Sequence, residues 1–180
     1  VKSSPAIEAG RVFVGSSDHG LYALRAGDGS TLWRFETLGS VQCEPLYDAE
    51  RDAVYFGSND GALYAVKART GELLFRYDSG AEVAKKPVVV SGTDTLLFAN
   101  GADFLFAIDR RTGKGRWQVH RTPALGMEIS GHAGPAYANS LDMAFMAFSD
   151  GHVVGYAAAD GAERWAVDLS ADAEQAGGEA

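Results

Sequence analysis

Four histidines and one cysteine are the side chains of this sequence best suited to metal or nucleophilic chemistry. His19 and His152 stand in short Asp-containing turns, and His120 and His132 in the longest loop. They lack the regular spacing of a ligand set, so no metal site is expected. Cys43 is alone, which excludes an internal disulfide and a cysteine-based metal cluster. No Ser-His-Asp spacing, P-loop or Gly-x-Gly-x-x-Gly in a strand-turn-helix context is present. No catalytic residue and no cofactor-binding residue is therefore expected. Asp18, Asp60 and Asp150 occupy matching turn positions, with Asp103 close to the equivalent place. Gathered on one face, they would form an acidic rim for cations or a basic partner. The other reading is structural: an Asp-Gly turn uses a short side chain that bonds its own backbone.

The elements that would carry these turns repeat. Ala107–Trp117 reads AIDRRTGKGRW. Its counterparts begin at Ala23 and Ala65, in steps of 42 residues, and at Gly155 after a step of 48. The turn glycines are Gly29, Gly71, Gly113 and Gly161, and the aromatics four residues later are Trp33, Phe75, Trp117 and Trp165. Upstream, Val12–Asp18 matches Val54–Asp60, and Phe145–Asp150 matches both more loosely. A period of 42 falls in the range of roughly 40–50 that marks propeller blades.

Each copy reads as four short strands. In the second, Pro45–Tyr47 opens a strand and Ala53–Gly57 is β-branched and aromatic. Ser58–Gly61 is a hairpin turn, Ala62–Val66 a third strand, and Glu72–Tyr77 a fourth after the Thr70-Gly71 turn. No segment keeps a helical period. The third strands are apolar on both faces, so each sheet must be covered on both sides. Radially stacked blades satisfy this; a sandwich with one wet face does not. The fold class is all-β, a propeller of four-stranded antiparallel blades. Four blades are present, over about 5–44, 45–86, 87–134 and 135–170, as part of a larger propeller of seven or eight. The small residue at the head of each motif (Ala23, Ala65, Ala107, Gly155) is expected to let a neighbouring sheet approach. The aromatic at its end fills the gap between blades. Residues 171–180 are small and acidic and read as a flexible tail or linker.

The motif resembles the tryptophan-docking motif of the PQQ-type β-propellers, Ala-x-Asp-x-x-Thr-Gly-x-x-x-Trp. Ala107, Asp109, Thr112, Gly113 and Trp117 match it at every defined position. The second copy has Lys67 for Asp and Phe75 for Trp. The first keeps Ala23, Gly29 and Trp33, and the fourth Gly161 and Trp165. The family contains quinoprotein dehydrogenases, BamB-like assembly factors of the outer membrane, and sensor-like domains attached to kinases. Phe56–Val66 resembles the BamB-like and sensor-like members. The dehydrogenases typically carry a disulfide between adjacent cysteines beside the cofactor, and this chain has one Cys. The resemblance thus implies a non-enzymatic scaffold outside the cytoplasm, in the periplasm or at the cell surface. It would hold a protein or peptide partner on its loop face and need no cofactor. The alternatives are a ligand-sensing domain of a larger receptor or kinase, and a fragment of a dehydrogenase using PQQ with calcium.

Composition narrows the partners. A net charge of −8, from 16 basic and 24 acidic residues, repels phosphate backbones, so nucleic acid is excluded. No apolar run approaches the ~18 residues of a membrane span, and no signal segment is visible. The candidate partner-binding residues are Asp18, His19, Asp60, Asp150 and His152 in the turns. Leu125, Met127 and Ile129 join them from the loop that is six residues longer than its counterparts. Four blades taken as a half-ring would also expose two apolar faces, which predicts self-association.

Overall fold

Residues 2–122 and 133–169, which a computed structural model of the chain describes, form sixteen strands and no helix. The first sheet is β1 (Ala6–Glu8), β2 (Arg11–Gly15), β3 (Gly20–Arg25) and β4 (Thr31–Glu36). The second is β5 (Leu46–Asp48), β6 (Ala53–Gly57), β7 (Ala62–Lys67) and β8 (Leu73–Asp78). The third is β9 (Val88–Val90), β10 (Thr95–Ala99), β11 (Phe104–Asp109) and β12 (Gly115–His120). The fourth is β13 (Ala136–Ala138), β14 (Met143–Ala147), β15 (His152–Ala157) and β16 (Glu163–Asp168). Every sheet is an antiparallel meander in chain order. These are four blades, part of a larger propeller. Among the described residues, no helix is long and apolar enough to cross a membrane.

The core lies between sheets. One buried cluster joins Phe13, Leu21 and Ala23 of the first blade to Val54, Phe56, Tyr64 and Val66 of the second. A second joins Tyr55 and Leu63 to Leu96, Phe98 and Ile108, and a third joins Leu97 and Leu105 to Met146, Val154 and Tyr156. The two faces of β6, β7, β10 and β11 thus serve two different neighbours. That is why their sequences are apolar at consecutive positions rather than alternating.

The repeated motif builds the joints. Ala23, Ala65, Ala107 and Gly155 each pair across the strand with the aromatic of the same blade, and the register shifts at the following residue. The small side chain therefore makes room for its own sheet's ring, and Ala23, Ala65 and Ala107 also lie in the clusters that join each blade to the next. A Cβ on Gly155 would stand 2.7 Å from Trp165. The ring then reaches the following blade. Trp33 lies over Gly71, Phe75 over Gly113 and Trp117 over Gly161, so close that a Cβ on the glycine would stand 2.6–2.8 Å from the ring. The same glycines have φ of 70–74°, a second reason for their identity. Trp33 Nε1 donates to the Ala68 carbonyl and Trp117 Nε1 to the Ala158 carbonyl, both at 3.0 Å. The motif Asp109 stays within its own turn, accepting from Arg111 N, Thr112 N and Thr112 Oγ1 at 3.0–3.1 Å.

The second and third blades are also joined by ions. Arg110, buried to 8% side-chain exposure, donates to Asp48 at 2.8 Å and Glu50 at 2.7 Å, with Asp94 at 3.4 Å. Asp94 is shared with Arg51. A buried guanidinium with this many acceptors keeps its charge, and its pKa is raised although burial opposes the shift.

Candidate functional site

Two regions collect polar side chains: the turns between second and third strands, and the opening beside the innermost strands. In the turns, an aspartate closes its own loop. Asp18 Oδ1 accepts from Gly20 N at 3.1 Å, Asp60 Oδ1 from Ala62 N at 3.1 Å, and Asp150 Oδ1 from His152 N at 3.0 Å. Blade three has Ala102 at this position, and Asn100 Oδ1 takes over, bonding Ala102 N at 3.1 Å and Phe104 N at 3.2 Å. Asp103 aligns instead with Gly61 in the left-handed turn position, φ 58°. Its buried carboxylate reaches the neighbouring blade at Ser149.

The second oxygen of each aspartate is engaged as well. Tyr22 donates to Asp18 Oδ2 at 2.5 Å and Tyr64 to Asp60 Oδ2 at 2.8 Å. Leu38 N, from the segment linking blades one and two, adds a bond to Asp60 Oδ2 at 2.9 Å. Arg34 lies over the Tyr22 ring at 5.5 Å and Arg76 over Tyr64 at 5.7 Å. In blade four the cation comes from before the sheet: Arg121 Nε donates to Asp150 Oδ2 at 2.7 Å and lies 5.8 Å over Phe148. The Tyr22 hydroxyl holds the Asp18 carboxyl below its ordinary range. For Asp150, burial pulls upward, but the Arg121 guanidinium and the His152 amide outweigh it and the carboxyl is lowered. The rim is thus a row of Asp–Tyr–Arg and Asp–Arg groups, with each described turn aspartate bonded to a neighbour.

His19 is exposed with φ 68°, and its carbonyl accepts from Thr37 N at 2.8 Å and Thr37 Oγ1 at 3.0 Å. His152 Nδ1 is 3.3 Å from Asp150 Oδ1 but lacks hydrogen-bond geometry. Leu125, Met127 and Ile129 lie outside the described residues, as does the 171–180 segment. The sequence reading overlooked Tyr22, Tyr64, Arg34 and Arg76. Their signal was present, since each pair is 42 residues apart.

The inner opening holds a cavity of about 380 Å³, lined in part by Lys2, Gln42, Glu44, Lys85 and Lys86. Lys86 pairs with Glu44. Cys43 lies beside it, fully buried, donating to the Lys85 carbonyl at 3.0 Å, with burial pushing its thiol up to about 12. Among the described residues, no group of three or more His, Cys, Asp or Glu could hold a metal ion.

The family model described as outer membrane protein assembly factor BamB matches residues 44–179. This chain belongs to that family. Among solved structures, BamB from Moraxella catarrhalis superposes with a TM-score of 0.79 at 18% identity, over 92% of this chain and 48% of that one. The quinohemoprotein alcohol dehydrogenase ADHIIG from Pseudomonas putida HK5 gives 0.74 at 20% identity, over 93% and 34%. The computationally designed Ika8 protein gives 0.72 at 16%, over 91% and 48%. At these identities the likeness is one of fold. This BamB-family chain spans about half or less of each of these three structures. No curated protein matches it by sequence.

Proposed function

We propose that this chain is a non-enzymatic scaffold of the BamB type, working outside the cytoplasm and holding a protein partner on its loop face in outer-membrane protein assembly. The match of residues 44–179 to the BamB family model carries this reading. The engagement of the turn polar groups supports it. Asp18, Asp60 and Asp150 are tied to backbone amides and to Tyr or Arg neighbours. They form a firm patterned surface rather than a convergent set of reactive groups. Arg34 and Arg76 are exposed along that rim, and arginine is a residue type favoured at protein interfaces.

The test immobilises the purified chain and passes over it the outer-membrane assembly complex of the same cell. Saturable binding that is weakened tenfold or more in the Arg34→Glu, Arg76→Glu double variant is the expected result. Absence of binding removes the scaffold role. A parallel titration with PQQ and calcium, followed by absorbance, is expected to show no change. Stoichiometric binding there would replace the scaffold with a dehydrogenase-type role.

A further inference from the structure

The cavity at the inner opening is built by all four blades. A proline stands directly before the innermost strand of each: Pro5, Pro45, Pro87 and Pro135. The residues before them, Ser4, Glu44, Lys86 and Gly134, all line the cavity. A residue that precedes proline is held in extended backbone, so the four positions are presented alike. They come from consecutive blades, and the cavity therefore lies at the axis of the propeller whatever blades complete the ring.

The cavity belongs to the loop face. The linking segments that lead to Glu44 and Lys86 are tied on their way to the turns between second and third strands. Val41 N donates to Ser16 O at 3.0 Å and Val83 N to Ser58 O at 3.1 Å. The backbone beneath the charges is fixed from blade to blade. Ser3 Oγ donates to the Cys43 carbonyl at 2.7 Å, and the Cys43 thiol to the Lys85 carbonyl at 3.0 Å. Gly134 leaves room for Lys85, since a Cβ there would stand 3.2 Å from the Lys85 Cβ.

The charge of the cavity runs against that of the chain. Lys2, Lys85 and Lys86 line it beside one carboxylate, Glu44, whereas the chain as a whole carries −8. Lys86 is paired with Glu44. Lys2 and Lys85 are exposed and have no carboxylate partner among the described residues. Two uncompensated cations thus border a space of about 380 Å³, a size within the roughly 300–1,000 Å³ of ligand pockets.

The residue types say which anion fits. Lysines meet anions as separate point charges, without the planar fork with which arginine grips one phosphate or one carboxylate. No arginine is among the described lining residues. Glu44 would stand against a compact, multiply charged phosphate. Carboxylates spaced along a chain can meet Lys2 and Lys85 and pass it by. Gln42 and Val88 add an amide and an apolar side chain, which suit a peptide.

We propose that this central cavity receives an acidic peptide segment of the protein partner, with its carboxylates on Lys2 and Lys85. That the segment belongs to a protein partner rests on the scaffold reading; its acidic character rests on the cavity alone.

Fluorescence anisotropy of the full chain tests it, with a labelled peptide of alternating Glu and Gly beside a Gln and Gly peptide of equal length. The Glu peptide is expected to bind saturably at low ionic strength, although chain and peptide are both acidic, and to weaken as salt rises. The Gln peptide is expected to bind at least tenfold more weakly. Lys2→Gln with Lys85→Gln is expected to weaken the Glu peptide tenfold or more with an unchanged circular dichroism spectrum. The charge-matched pair Arg69→Gln with Lys114→Gln, in the turns between third and fourth strands, is expected to stay within twofold of wild type. Absence of saturable binding, equal binding of both peptides, or indifference to the lysine pair overturns the inference. So does displacement by inorganic phosphate or succinate at the peptide's own concentration, which would make the cavity a small-anion site. Capture of the assembly complex separates the two readings. If the complex binds wild type and the lysine variant equally, the acidic segment is wrong and the scaffold stands. If the Glu peptide binds through the lysines and the complex does not bind, the scaffold role falls and the acidic-peptide site stands.

Discussion

The Tyr55 hydroxyl donates to the Arg110 carbonyl at 2.9 Å, taking the place that an indole N–H holds at the two other complete joints. Arg110 stands three residues before Gly113, as Ala68 stands before Gly71 and Ala158 before Gly161. At those joints Trp33 and Trp117 are the donors. Phe75 has no donor to give. Tyr55, whose counterparts in blades one and four are Phe13 and Phe145, supplies one from β6, two strands away in the same sheet.

Tyr55→Phe therefore leaves a buried carbonyl unpaired and should cost about 1–3 kcal/mol. Adding Phe75→Trp recreates the Phe–Trp combination of blade one and should recover most of the loss. Urea unfolding of the two single variants and the double variant measures the coupling. Additive effects would show that the hydroxyl and the indole do not share one acceptor.

The turn glycines separate two costs. Gly71→Ala and Gly29→Ala both place a side chain at positive φ, about 1–3 kcal/mol. Gly71→Ala also drives a methyl to within 2.8 Å of Trp33, whereas at Gly29 there is open space. In dilute solution Gly71→Ala should lose more stability by a further ~1–3 kcal/mol of overpacking. Equal midpoints in thermal melts would contradict the ring-on-glycine contact.

Cys43 should resist modification. Its thiol is buried and pushed up to about 12, so the reactive thiolate is scarce at pH 8. Labelling by an aromatic disulfide reagent is expected to be slow in the native protein and to quicken with denaturant in step with the loss of circular dichroism. Rapid labelling of the folded chain would contradict the burial.

The Asp150–Arg121 bond sets a direction with pH. The folded carboxyl lies below its ordinary value near 3.8, so its contribution is full above that value. It is lost as pH falls through the folded value. Wild type should exceed Asp150→Asn in stability at neutral pH, and the difference should close as pH falls below the ordinary carboxyl value of 3.8. A difference that is constant with pH would mean that the charge on Asp150 does not stabilise the fold.

The repeat made the blades legible because each blade is a local meander, and its glycines, aromatics and strand lengths recur at one spacing. The joint was legible in part. That Trp33 and Trp117 fill a gap follows from their size. Ala23 is small because it faces Trp33 across its own sheet, and that depends on a register shift no composition reveals. The Tyr55 substitution and the bonds of Arg110 to Asp48 and Glu50 join residues 55 to 62 positions apart on separate blades. Their partners are fixed by how the sheets stack, so the linear order does not display them. The turn aspartates were legible as turn formers, while their tyrosine and arginine neighbours lay in the repeat register unread.

Each joint draws its ring from one repeat and its glycine from the next. A stretch of DNA encoding one repeat therefore carries both a plug and a socket. Tandem copying of such a stretch, by slippage or unequal crossing-over, adds a unit that fits on either side without further change. Genetic lengthening and shortening is thereby an inexpensive route to new ring sizes, with selection left to act on the turns alone.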